Sequence, residues 1–294
     1  MSIIHSRSGN SKVGKNHGPL RMAGVWSEMK PRYAEKHVPL LTNKFHDRPS
    51  VFSPENLMRE ARRQNANPAG KIPEICILDP DGDLVRKLAA DKKSAQNQAW
   101  ACYHTTLYSF EHQNVEYGIV GGAVGAPFAV LVAEELFVSG CKSLISVTSA
   151  GQILKKRTPP YFILIDKALR DEGTSYHYLP PAKYAHIKRE FRDTHRDLQD
   201  SLTIPIEQGS TWTTDAPFRE VQEAIDYARG ENILAVEMEA AALYAFAEAR
   251  VKDIICFALV TNQMGTETND FEKGDGRGTT ETLRLIAAVT RRWS

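Results

Sequence analysis

The chain predicts an α/β domain, and three features of the sequence lead there. From Ile75 onward, short β-rich runs alternate with helical ones. The stretch from Ile233 to Arg250, ILAVEMEAAALYAFAEAR, reads as a short buried strand passing straight into a helix rich in Ala, Leu and Phe. No repeat or domain linker breaks the chain after residue 70, so residues 71–294 are expected to form one domain. Residues 1–70 are expected to be an N-terminal arm and helical extension, partly loose.

Bulk composition narrows the classes of partner. A formal net charge of +1 over 294 residues argues against nucleic acid or an anionic membrane held by a global field. No apolar run reaches the roughly 20 residues a membrane helix needs, and no apolar signal segment follows the first basic residues, so a cytoplasmic location is expected. Cys76, Cys102, Cys141 and Cys256 are far apart, with no C-x-x-C pair and no histidine at metal-ligand spacing. They read as reduced thiols in a core, and no metal site is expected.

Taken in order, Met1 to about Pro31 is polar and aperiodic, the texture of a loose arm. His17, His37 and His46 are surface histidines unless the arm reaches a neighbouring subunit. Ser53-Pro54-Glu55 marks a helix start running to about Gln64. The run Ile75 to Leu78 is a strand that ends in the turn-forming DPDGD, Asp79 to Asp83, with a helix from about Leu84. A β-hairpin is expected within Ala99 to Gly121, its tip at His112-Gln113-Asn114. Gly121, Gly122 and Gly125 then lead into a helix opened by Pro127 and closed by Gly140. That spacing is not the dinucleotide fingerprint G-x-G-x-x-G.

Ser143 to Val147 is a strand opening into TSAGQ, Thr148 to Gln152, where small hydroxyls and a glycine sit at a strand's carboxyl end. Tyr161 to Asp166 is a further strand, followed by the polar stretch Ala168 to Pro181, which reads as a functional or interface loop. Ile204 to Glu220 carries a strand and then Asp215, Pro217, Phe218 and Arg219, suited to stacking on a planar ring; a helix cap by Asp215 is the equally simple alternative. A helix over Arg219 to Arg229, a strand over Asp253 to Val260 and a last amphipathic helix from Thr280 to about Arg292 complete the chain.

Within the opening strand–helix unit, Glu237 and Glu239 flank Met238. Two carboxylates where a buried strand hands over to a helix are costly unless something pairs with them. A ligand is one such partner; solvation of Glu237 and a dipole role for Glu239 are the other.

Six ordered motifs give this pattern a family. GAVGAPFAVLVAEEL, SVTSAGQI, ALRDEGTSYHY, TWTTDAPFRE, AVEMEAAALYAFA and the strand ending at Asn262 together resemble the nucleoside phosphorylases of the purine nucleoside and uridine phosphorylase type, with their related nucleosidases. The resemblance runs from about Ile75 to the C-terminus. It implies a three-layer α/β fold whose mixed, partly barrel-like central sheet is flanked by helices, in a homo-oligomer whose paired subunits share sites. It implies a ribonucleoside substrate, no cofactor, and phosphate as co-substrate.

Carried over by position, Glu239 accepts hydrogen bonds from the ribose hydroxyls, Met238 packs beneath the sugar, and Glu237 lines the base and sugar pocket. Pro217 or Phe218 lies against the base, and Arg219 lies near a base carbonyl. Ser149, with Ala150 and Gly151, forms the substrate-binding turn, and Gly82 and Ser149 bind phosphate. Asn262 stands where purine enzymes and nucleosidases hold an aspartate acid. With Glu237 it is the catalytic candidate, although an amide cannot protonate a departing base.

One departure is chemical. The arginines that anchor phosphate in the family are replaced: Gly82 ends the loop that would carry the first, Ser146 stands at the second, and the third falls near Tyr103 or His104. Only a shifted Arg86 is available to compensate. Removing charged partners from a dianion costs several kcal/mol in order of magnitude. Phosphorolytic cleavage of an N-glycosidic bond to free base and ribose 1-phosphate is therefore expected with two alternatives: hydrolysis, or nucleoside binding without catalysis.

Overall fold

The computed structural model describes residues 38–193, 198–263 and 277–293, the side chains of residues 262, 263 and 277 excepted. The expected loose arm, with His17 and His37, lies outside the described residues. Helix α1 (Pro54–Asn65) starts where expected: the Ser53 hydroxyl accepts the Asn56 N–H and Pro54 fills the first turn, where no amide partner is needed. Its buried face, Met58 and Ala61, joins the main core.

Among the described residues ten strands form one sheet: β1 (Ile75–Asp79), β2 (Ser94–Gln96), β3 (Leu107–His112), β4 (Val115–Gly121), β5 (Ser143–Gln152), β6 (Tyr161–Asp171), β7 (Tyr184–His186), β8 (Ile206–Thr214), β9 (Ile233–Glu237) and β10 (Asp253–Gln263). The order is β10-β6-β8-β9-β5-β1-β4-β3-β2, with β7 on β6. Strand β10 also pairs with β5, so β5, β10, β6, β8 and β9 close into a five-strand ring, and β1, β4, β3 and β2 extend from it. This is the mixed, partly barrel-like sheet expected.

The ring depends on the length of β5. Its first half, Ser143 to Ser146, lies parallel to β1, while Gly151 and Gln152 run antiparallel to β9. Strand β10 follows it in parallel throughout. TSAGQ is thus a continuation of strand and not a loop. The same register sets Gly151 opposite both Val236 and Asn262, which carries the strand ends of β5, β9 and β10 to one place.

Among the described residues five further helices flank the sheet: α2 (Asp83–Ala90), α3 (Ala126–Ser139), α4 (Gln222–Gly230), α5 (Ala240–Arg250) and α6 (Arg277–Trp293). Helices α3 and α5 are apolar on most sides and pack on each other, and α2 packs on α6. Every residue of α5 from Ala240 to Ala247 is buried. Large apolar side chains such as Leu243 and Phe246 each contribute roughly 1.5–3 kcal/mol by leaving water.

Several boundaries differ from expectation: besides β5, which runs on to Gln152, the last helix begins at Arg277 and not Thr280. Strand β6 continues through ALRD, because Arg170 and Asp171 pair with Thr213 and Thr214 of β8. Helix α4 begins at Gln222, three residues late, since Pro217 to Arg219 form a separate 3₁₀ turn. The short strand β7, Tyr184 to His186, carried no periodic signal and exists by pairing with β6. All four cysteines are free thiols, three of them buried. Among the described residues no helix is long and apolar enough to cross a membrane.

Candidate active site

Two strand-to-helix handovers build the site, and a carboxylate organises each. At the first, β1 ends at Asp79, and Gly82 turns the chain into α2 with φ +72°, a left-handed conformation that favours glycine. Asp79 Oδ2 accepts the Val85 N–H at 2.9 Å, and its carbonyl accepts the Gly82 N–H at 2.9 Å. Burial, with the charges of Asp81 and Asp83, pushes the Asp79 carboxyl up to about 6.

Asp81 reaches across to β5. Its Oδ2 accepts the Ser149 N–H at 2.7 Å and its Oδ1 accepts the Ser149 hydroxyl at 2.9 Å. A cavity of about 240 Å³ opens beside this pair, walled by Asp79, Asp81, Asp83, Thr148, Ser149 and the first turn of α6. Lys87 also lines it, but its ammonium is 2.7 Å from Asp91. Arg86 is not on that wall: its guanidinium donates to Asp83 and to the Asp81 carbonyl.

At the second handover β9 ends at Glu237 and Glu239 caps α5. Glu237 is buried and saturated by protein donors. Its Oε2 accepts the N–H groups of Glu239 and Ala240, each at 2.7 Å, and its Oε1 accepts the hydroxyls of Thr211 and Thr213. Thr213 Oγ1 in turn accepts the Ala241 N–H at 3.0 Å. Thr211 and Thr213 stand two apart on β8, so both side chains lie on the same face of the sheet, where they reach Glu237 of the paired strand β9.

Glu239 has a different environment. It is 2% exposed, and its Oε1 accepts the Gly125 N–H at 2.7 Å. The Thr148 hydroxyl faces the same carboxyl, while Oε2 is buried with no hydrogen-bond partner among the described residues. Burial, then the adjacent Glu237 carboxyl, pushes Glu239 up to about 8. Burial raises Glu237 as well, but its four donors favour charge there, so the proton of the pair sits on Glu239.

Residues 74–291 match the model of the phosphorylase superfamily. The chain belongs to that superfamily. At the level of single relatives it is 24% identical over 217 residues to a guanosine phosphorylase of Halorubrum lacusprofundi, covering 68% of this chain and 86% of the relative. It is 24% identical over 218 residues to a uridine phosphorylase of Thermococcus kodakarensis, covering 69% and 77%. In fold it resembles the uridine phosphorylase of Vibrio fischeri ES114, with a TM-score of 0.60 at 19% identity, over 75% of this chain and 89% of that one.

Superfamily membership does not fix the site, and the structure places the expected residues unevenly. Ser149, Ala150 and Gly151 lie together on β5, beside Glu237 on β9 and the backbone of Asn262 on β10. The Asn262 side chain lies outside the described residues. Glu237, expected to line the pocket, instead ties β8 to the start of α5. Met238 is half-buried between the two acids. Pro217, Phe218 and Arg219 form the 3₁₀ turn beyond β8, with Phe218 99% exposed and Arg219 exposed, and none of the three lines the cavity beside Ser149. Gly82 and Ser149, expected to hold phosphate, have their donors spent on Asp79 and Asp81. Arg86, the expected replacement cation, is paired with Asp83.

The sequence reading missed Thr211, Thr213 and Gly125 as partners of the two acids. The i, i+2 spacing of threonines in STWTT was the available signal for the first two. Nothing local signalled Gly125, which lies 114 residues from Glu239.

Proposed function

We propose that this protein cleaves the N-glycosidic bond of a ribonucleoside and releases the free base. One observation carries the reading: Glu239 presents a buried carboxyl oxygen with no hydrogen-bond partner among the described residues, next to Thr148, which lines the cavity. An unpaired buried oxygen costs about 1–3 kcal/mol, so its retention beside a cavity is accounted for by a ligand hydroxyl that completes it. Adjacent sugar hydroxyls both donate and accept, which suits a carboxyl that can hold or release its proton near pH 8.

The chemistry agrees with such a placement. Breaking a ribosyl C–N bond builds positive charge on the sugar and negative charge on the base, so acceptors around the ribose lower the barrier more than they stabilise the ground state. Relatives named phosphorylases make phosphate the first acceptor to examine, with ribose 1-phosphate as the second product. A homo-oligomer with shared sites goes with this reading, and light scattering on the full chain tests that part.

The decisive experiment incubates the purified protein with a panel of purine and pyrimidine ribonucleosides, with and without phosphate, and follows free base. Release with either acceptor supports the proposal, and Glu239→Ala should abolish it. Binding without release in every case would replace the enzyme with a nucleoside-binding protein.

A further inference from the structure

Granted the glycosidic-cleavage reading, we infer that Asp81 is a built-in occupant of the anion corner, which keeps phosphate out and leaves water to take the ribosyl group. The two donors that Ser149 offers at the cavity, its N–H and its hydroxyl, both point at oxygens of one carboxylate, at 2.7 and 2.9 Å. Two oxygens on one centre received by a backbone amide and a hydroxyl is how an external oxyanion would be held. Here the oxyanion belongs to the chain.

The surrounding groups reinforce the exclusion. The amides at the start of α2, whose dipole would attract an anion, are already turned to Asp79: Val85 N–H to its carboxylate and Gly82 N–H to its carbonyl. Among the described residues two cations close to this corner are engaged elsewhere, Lys87 with Asp91 and Arg86 with Asp83. Among the described residues the cavity lining carries three aspartates and one lysine, itself paired with Asp91. Like charges brought close together repel, so a phosphate dianion entering beside Asp81 is opposed. Water is not, and a cavity of about 240 Å³ has room for it.

The balance of the step needs no further reactant. The C1′–N bond breaks with its electron pair going to the base, and a water oxygen bonds to C1′. One water proton leaves to solvent and the base gains one, giving ribose and free base.

Asp81→Ala frees the Ser149 donors and removes a charge, so it should bind inorganic phosphate at least tenfold more tightly than the unmodified protein in calorimetric titration. The double variant Asp81→Ala, Ser149→Ala should lose that gain. Asp81→Asn keeps the shape of the side chain and serves if the alanine variant does not fold; it too should bind phosphate more tightly. On whichever nucleoside the panel shows to be cleaved, the unmodified protein should yield ribose with or without phosphate, and ³¹P NMR should show no ribose 1-phosphate. Ribose 1-phosphate from the unmodified protein overturns the inference, including the case where a neighbouring subunit supplies the cation. Equal phosphate affinity in all variants also overturns it and reduces the Asp81–Ser149 pair to a loop latch. If no nucleoside is cleaved the reaction reading falls, while the phosphate titrations still decide the role of Asp81.

Discussion

The two acids around Met238 divide their labour, and the division has a measurable sign. Glu239 has a folded-state pKa of about 8 against 4.5 for an unperturbed glutamate. The folded protein therefore keeps a proton that the unfolded chain releases, and this contribution to stability is complete below pH 4.5 and is lost as pH rises to about 8. Glu239→Gln is neutral at every pH and can still accept the Gly125 N–H. Its urea midpoint should fall less than that of the unmodified protein between pH 5 and pH 8.5; parallel curves would mean that Glu239 is ionised throughout. How far this was legible in sequence depends on the residue. That Glu237 and Glu239 need partners followed from an acidic pair at the edge of a buried strand. Which of them was saturated by protein donors and which was left with an open oxygen depended on Thr211, Thr213 and Gly125, positions whose distance in sequence hides their contact.

At the scale of elements, both handovers use the same device, a strand-terminal carboxylate that takes the first amides of the following helix. Asp79 does this for α2, and Glu237 does it for α5 while also fixing β8 through two threonines. Replacing Glu237 by Gln keeps the volume but turns one acceptor into a donor, which must then face an N–H or a hydroxyl already pointing at it. We expect a loss of about 2–4 kcal/mol, with a fall in Tm of several degrees, measured by thermal unfolding at pH 7. A change within about 0.5 kcal/mol would show that Glu237 is not held by these four groups. Strand and helix existence was readable wherever periodicity was strong, as in β9, β10 and α5. It failed at TSAGQ and ALRD, because small and polar residues there are held in strands by partners on β10 and β8 and not by their own propensity. The exposed Phe218 failed for the opposite reason: an aromatic beside an arginine suggests stacking, and only the 3₁₀ turn decides where the ring points.

For the whole molecule, closure of the ring matters most, since it brings the ends of β5, β9 and β10 into register and so assembles Ser149, Glu237 and the Asn262 backbone at one place. The alternation of strands and helices announced an α/β sheet, but closure rests on β5 pairing with β10, more than a hundred residues away, which no local pattern encodes. One buried hydroxyl ties two neighbouring strands of the ring to a helix. Strand β6 shifts register against β8 between Ile165 and Lys167, leaving the Ile165 carbonyl to accept the Tyr244 hydroxyl from α5. The Tyr244 hydroxyl oxygen in turn accepts the Cys256 N–H of β10 at 3.1 Å. Tyr244 thus joins helix α5 to two ring strands with one donor and one acceptor, and it is 1% exposed, so water cannot replace it. Tyr244→Phe removes no apolar contact yet strands a carbonyl and an amide, a cost of about 1–3 kcal/mol for each buried group left unpaired. The expected result is a lower urea midpoint, with faster hydrogen exchange concentrated in β6 and β10 and little change in β3 and β4. Uniformly faster exchange across the sheet would mean that the hydroxyl stabilises the core generally and does not hold the ring closed.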